Sequence, residues 1–128
     1  MCRVGRLLCC LAVAVALAGC AAKTVTVKGK VHKGGTPLSV SKTGVVQVTL
    51  VPVDAKTSPS NRVGRAQPDG SFEIEQVPPG KYRVVVEQLD PNPMTDKLGG
   101  AFSALSTKIV RDVNGKTPLD VDLAKPEG

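Results

Sequence analysis

Pro68-Asp69-Gly70-Ser71-Phe72-Glu73-Ile74-Glu75-Gln76-Val77-Pro78-Pro79-Gly80-Lys81-Tyr82-Arg83-Val84-Val85-Val86 decides the fold class. It opens on a turn: Pro68 presets one backbone dihedral and Gly70 accepts the left-handed one. Period-two alternation follows. Phe72 and Ile74 alternate with Glu73 and Glu75, and Tyr82, Val84 and Val86 alternate with Lys81, Arg83 and Val85. That spacing puts one set on each face of a strand. Between the two strands lies Val77-Pro78-Pro79-Gly80. Its prolines donate nothing to a ladder and hold the backbone extended, so it reads as a corner carrying the chain between sheets rather than as a tight hairpin.

The same alternation runs outward in both directions, and no helical period competes with it. Upstream, Thr24 to Val31 (TVTVKGKV) has its valines on one face and Thr26, Lys28 and Lys30 on the other, and Lys33-Gly34-Gly35-Thr36-Pro37 ends it in turn chemistry. Gly44 to Val53 (GVVQVTLVPV) is apolar on nearly both faces at its start, as a central strand is, and Asp54 to Asn61 is a polar loop. A short run, Val63 to Gln67, leads into the Pro68 turn. Downstream, Leu89 to Thr107 is the longest irregular segment. Lys108–Val113 and Thr117–Leu123, separated by Asn114-Gly115, read as a closing hairpin. Seven short strands without a helix predict an all-β, single-domain β-sandwich.

The N-terminus carries an address. Arg3 and Arg6 precede an unbroken apolar run, Leu7 to Ala18, too short for the roughly 20 residues that span a bilayer. It reads as a secretory segment, excluded from the fold. Leu17-Ala18-Gly19-Cys20 resembles the lipobox of bacterial lipoproteins. That resemblance implies a diacylglyceryl thioether on Cys20, cleavage before it and acylation of the new amino group. Two or three chains make a stable anchor where one binds only reversibly. The expected organisation is a signal peptide over 1–19, lipidated Cys20 with a short tether over 20–23, the sandwich over 24–124, and a tail over 125–128. Ala21 stands where, in lipoprotein sorting, an aspartate retains the protein at the inner membrane, so the outer membrane is expected in a double-membraned cell.

Cleavage leaves 109 of the 128 residues, with fifteen Lys and Arg against eleven acids. A net +4 does not by itself argue for nucleic acid. Cys2, Cys9 and Cys10 fall in the discarded segment and Cys20 is the last cysteine, so no disulfide is expected within the mature domain.

Gly29-x-Val31 with Gly35-x-Pro37-Leu38, Val46-x-Val48-x-Leu50, Pro68-Asp69-Gly70-x-Phe72-x-Ile74 and Val77-Pro78-x-Gly80-x-Tyr82-x-Val84-x-Val86 together resemble the carboxypeptidase regulatory-like domain. This family is close to the collagen-adhesin B-type repeats. The resemblance covers nearly all of the chain after Lys23 and implies a seven-stranded, transthyretin-like (prealbumin-like) Greek-key sandwich. It also implies that the aspartate-glycine turn and the proline corner are folding devices, with Phe72 and Tyr82 in the core.

Chemistry has few residues to stand on. His32 is the single histidine, and the chain ends Lys-Pro-Glu-Gly, unlike the C-terminal Tyr-Arg-Gly-Ser of transthyretin-like hydroxyisourate hydrolases. Neither catalytic residues nor a cofactor is expected beyond the lipid on Cys20. Asp90-Pro91-Asn92-Pro93-Met94-Thr95-Asp96 offers oxygens on a loop, but prolines with Asp and Asn more commonly make Asx turns than calcium sites. Lys28 or Lys30 with Glu73 or Glu75 would be the groups for an isopeptide crosslink of the adhesin kind, yet all four alternate with apolar residues and are expected in water. Lys23, Lys28, Lys30, His32 and Lys33 share one outward face, read either as protection of an edge strand or as attraction to anionic lipid or acidic polysaccharide. The expected function is a non-enzymatic, lipid-anchored envelope protein whose sandwich is a structural or protein-binding module. The alternative is a carbohydrate-binding module using Phe102, since there is no tryptophan and the other two aromatics are assigned to the core.

Overall fold

The computed structural model describes residues 23–127, so the expected signal segment and Cys20 lie outside the described residues. The described chain contains strands and turns and no helix. Its strands are β1 (Val25–Lys33), β2 (Thr36–Pro37), β3 (Val45–Pro52), β4 (Arg62–Arg65), β5 (Ser71–Val77), β6 (Gly80–Leu89), β7 (Val110–Val113) and β8 (Leu119–Asp122). Beyond the seven expected strands, this count includes the two-residue β2, which pairs back onto the end of β1 through the Gly34-Gly35 turn.

One sheet is built on β1, which pairs antiparallel with β5 and β2 and parallel with β8; the other runs β4-β3-β6-β7, antiparallel throughout. A single core joins them: Val27, Val31, Phe72, Ile74, Leu119 and Val121 from the first meet Val46, Val48, Leu50, Tyr82, Val84 and Val86 from the second. The alternation read from sequence is thus the inside-outside alternation of both sheets. Val85 and Leu89 are the exceptions, 4 % and 8 % exposed at outward positions of β6.

The corner behaves as expected. β5 lies in the first sheet and β6 in the second, so Val77–Gly80 carries the chain across. Two devices turn it. Val25 pairs with Val77 while Val27 pairs with Ile74, so β5 carries an extra residue there, and Gln76 takes a left-handed φ of 55°. Its carbonyl accepts the Arg62 Nε–H at 2.9 Å. Tyr82, fully buried, then donates its hydroxyl back to the Pro78 carbonyl at 2.5 Å, four residues upstream. Burial pushes the Tyr82 phenol above its ordinary value.

The expected closing hairpin is corrected. Asn114-Gly115 does turn, with Asn114 Oδ1 accepting the amides of Lys116 and Thr117 at 2.8 and 3.0 Å and Gly115 at φ 75°. The strands on either side do not pair with each other. β7 completes the second sheet on β6, and β8 crosses to lie parallel to β1, Gly29 opposite Leu119 through His32 opposite Asp122. Pro118, which has no N–H, sits between turn and strand and gives nothing to a hairpin ladder.

The long segment after β6 seals an edge. β7 covers only Gly80–Arg83; beyond it the Val84 amide donates to the Ile109 carbonyl, Val86 to Phe102, and Lys97 to the Gln88 carbonyl, at 2.9, 3.1 and 2.8 Å. Asp96 holds this segment in shape, its carboxylate accepting the amides of Gln88, Leu98 and Gly100.

Candidate functional site

Strand directions give the molecule two ends. β1 enters at one, beside the end of β5, the Pro78-Pro79 corner and the Asn114-Gly115 turn. Its nine residues, at about 3.3 Å each, carry it roughly 30 Å to the other. There the Gly34-Gly35 turn, the Leu38–Gly44 loop, the Pro68 turn and the loop after Leu89 collect.

Aspartates organise this far end. Asp122 Oδ1 accepts the amides of Gly34 and Ala124, both at 2.9 Å. Asp90 accepts the Ser41 amide at 2.8 Å and the Ser41 hydroxyl at 2.5 Å, tying two loops together. Asp69 accepts the Ser71 amide and hydroxyl within its own turn. These bonds favour the charged form. The Gly34 and Ala124 amides hold the Asp122 carboxyl below its usual range, and Ser41 and Ser71 do the same for Asp90 and Asp69. The carboxylates of Asp90 and Asp96, the two acids of the oxygen-bearing loop, are engaged by Ser41 and by the amides of Gln88, Leu98 and Gly100. Among the described residues no group of three or more His, Cys, Asp or Glu is arranged to hold a metal.

His32 stands at the end of β1 and is fixed through both ring nitrogens. Gly35 N–H points at Nδ1 at 2.9 Å, and an amide only donates, so Nδ1 carries the lone pair. The proton is then on Nε2, 2.6 Å from Asp120 Oδ1. Asp122 Oδ1 lies 3.8 Å from Nδ1. The imidazole of this outward-facing residue is a strand-to-turn clamp, its basic nitrogen already occupied.

The basic face of β1 also looks different in its sheet. β1 has neighbours on both sides over Gly29–Lys30, so Lys30 does not guard a sheet edge, while over Val25–Lys28 only the β5 side is paired and Lys28 stands beside an open stretch. Lys28 lies opposite Glu73 on β5; Lys30 lies opposite Asp120, and His32 opposite Asp122, on β8. Lys28 and Lys30 are thus each flanked by a carboxylate contributed from a distant part of the chain, which offsets their pull on an anionic surface. Lys28, Lys30, Glu73 and Glu75 are all exposed, so an isopeptide bond finds no buried acid to drive it.

Phe102 is half-buried and packs against the core, its carbonyl receiving the Val86 amide. Two open clefts of about 500 Å³ flank the molecule. One is lined by Val25–Lys28 and Val113–Leu119 near the entry of β1, the other by Leu38–Lys42, Gly44–Val46 and Arg65–Pro68 at the far end. Val40 and Met94 expose apolar side chains on the far-end loops, at 37 % and 80 %. Reading the sequence missed this gathering of loops, because the residues joined by Asp90 and Asp122 are 49 and 88 positions apart. Comparison with protein families, curated proteins and solved structures finds no match to this chain.

Proposed function

We propose that the chain is a non-enzymatic lipoprotein of the cell envelope, acylated on Cys20, whose two-sheet domain is a transthyretin-like Greek-key sandwich serving as a structural or protein-binding module. The observation that carries this reading is the polarity of the domain. Cys20 precedes Thr24 by four residues, which span at most about 14 Å. β1 therefore starts beside the acylated residue and ends at the organised far-end loops, roughly 30 Å away. A module held in this way presents those loops outward, with Val40 and Met94 available to a protein partner. The outer membrane is the favoured site, on Ala21. The non-enzymatic part of the reading is supported by His32, both of whose nitrogens are committed to the fold.

The test has two parts. Cys20→Ser is expected to leave the chain unprocessed or released from membranes; a cleaved variant that stays membrane-bound overturns the anchor. A photo-crosslinking residue at Met94 in intact envelopes is expected to trap a protein neighbour more efficiently than one at Asn61. Equal yields at both positions overturn the outward presentation.

A further inference from the structure

From where the cations sit, we infer that the end of the domain at which β1 enters is a docking face for an anionic bilayer surface and holds the domain upright on it; this rests on the proposed acylation of Cys20. Five cations from separate parts of the chain come to that end: Lys23 before β1, Lys56 and Arg62 around the loop after β3, Lys81 at the start of β6 and Lys116 after the Asn114-Gly115 turn. Lys23, Lys56, Lys81 and Lys116 are exposed, while Arg62 is half-buried on the Gln76 carbonyl and Ser60. Three carboxylates, Asp54, Glu75 and Asp112, share this end. The far end is balanced, Lys33, Lys42, Arg65, Lys97, Lys108 and Lys125 standing with Asp69, Glu87, Asp90, Asp96, Asp122 and Glu127. Val53, 44 % exposed, adds an apolar contact at the entry end.

Distance decides which charges count. The tether allows at most about 14 Å between Cys20 and Thr24, so the entry-end cations come within one or two Debye lengths of the headgroups, about 8 Å each at physiological salt. With the domain upright, charges at the far end lie roughly 30 Å further and are screened out. Lys33 belongs to that end, and Lys28 and Lys30 are flanked by Glu73 and Asp120. The surface that meets lipid is thus the tip of the domain rather than the face of its first strand. Each unit of net positive charge near an anionic surface favours contact roughly five-fold, so the net two charges of this end bias orientation on the order of thirty-fold.

The experiment uses the full chain, processed and acylated, with a donor dye on Lys42→Cys at the far end and an acceptor dye on the headgroups. It is reconstituted into vesicles of phosphatidylcholine alone and into vesicles containing about one third phosphatidylglycerol. Energy transfer is expected to fall on the anionic vesicles, as the far end is held away. Lys23→Gln, Lys56→Gln and Lys116→Gln combined, or high salt, are expected to restore the neutral-lipid value. Transfer that is the same on both vesicles, or that falls equally in the triple variant, overturns the docking face. Failure of the anchor shows itself differently: the chain stays in the supernatant of both vesicle types and mass spectrometry finds Cys20 unmodified, which overturns both readings.

Discussion

Tyr82→Phe isolates one bond at the corner between the sheets. The hydroxyl of Tyr82 donates to the Pro78 carbonyl at 2.5 Å, in a place where both residues are buried. Removing the oxygen changes little in volume and leaves that carbonyl without its donor. The nearby Ser58 offers no substitute, since its proton is committed to the Ser60 carbonyl at 2.7 Å. A buried acceptor stranded in this way costs about 1–3 kcal/mol. For a domain of this size each kcal/mol moves Tm by about 4–8 °C, so a fall of roughly 4–24 °C is expected. Thermal denaturation followed by circular dichroism measures it, and an unchanged slope in urea shows that the unfolding transition is otherwise the same. Alkaline pH supplies an independent check. The folded phenol lies above the ordinary 10.0, so its contribution is full below pH 10 and is lost as pH rises through the raised folded value. The gap between wild type and Tyr82→Phe therefore narrows at high pH. Tyr82 is the single tyrosine and there is no tryptophan, so ultraviolet titration reads this phenol alone. An unchanged Tm in the variant, or a native phenol titrating at or below 10, refutes the reasoning.

Gly29→Ala places a methyl group against the Leu119 carbonyl and 2.6 Å from the Phe72 ring, and is expected to cost about 1–3 kcal/mol by urea denaturation, through a shift of β8 off β1. Nitrogen NMR of neutral His32 is expected to find the proton on Nε2; the Nδ1–H tautomer contradicts the Gly35 clamp. Stability gained from Asp90 and Asp122 is present above their ordinary 3.8 and is lost as pH falls through the lowered folded values. Asp90→Asn is accordingly expected to be less stable than wild type at neutral pH and to converge with it in acid, and a gap that persists in acid counts against the Ser41 bonds as its source.

What sequence could reveal was whatever is encoded within a few residues. Phe72 and Ile74, Tyr82 and Val84 announce their faces by alternation, and Pro78-Pro79 announces a corner, because proline acts on its own backbone. The Asn114-Gly115 turn was equally legible, and misleading: turn chemistry is local, whereas the partner of the following strand is chosen by the core face of Leu119 and Val121 and by the vacant side of β1. Lys30 looks like the guard of an edge for the same reason, since nothing near it in sequence names Asp120 as its neighbour. Asp120 and Asp122 were legible as the outward positions of a strand, but that they would meet His32 and Gly34 depended on a pairing 88 residues long.

The parallel pairing of β1 with β8 has a consequence for how the protein is made. Gly29 emerges ninety positions ahead of its neighbour Leu119. At about 5–20 residues per second, the first strand waits roughly 5–20 s for the last one to be synthesised. Until then half of its ladder is open and Leu119, Val121 and Leu123 are missing from the core. The core therefore stays incomplete until β8 has emerged, and the strand that latches the first sheet follows all the others described.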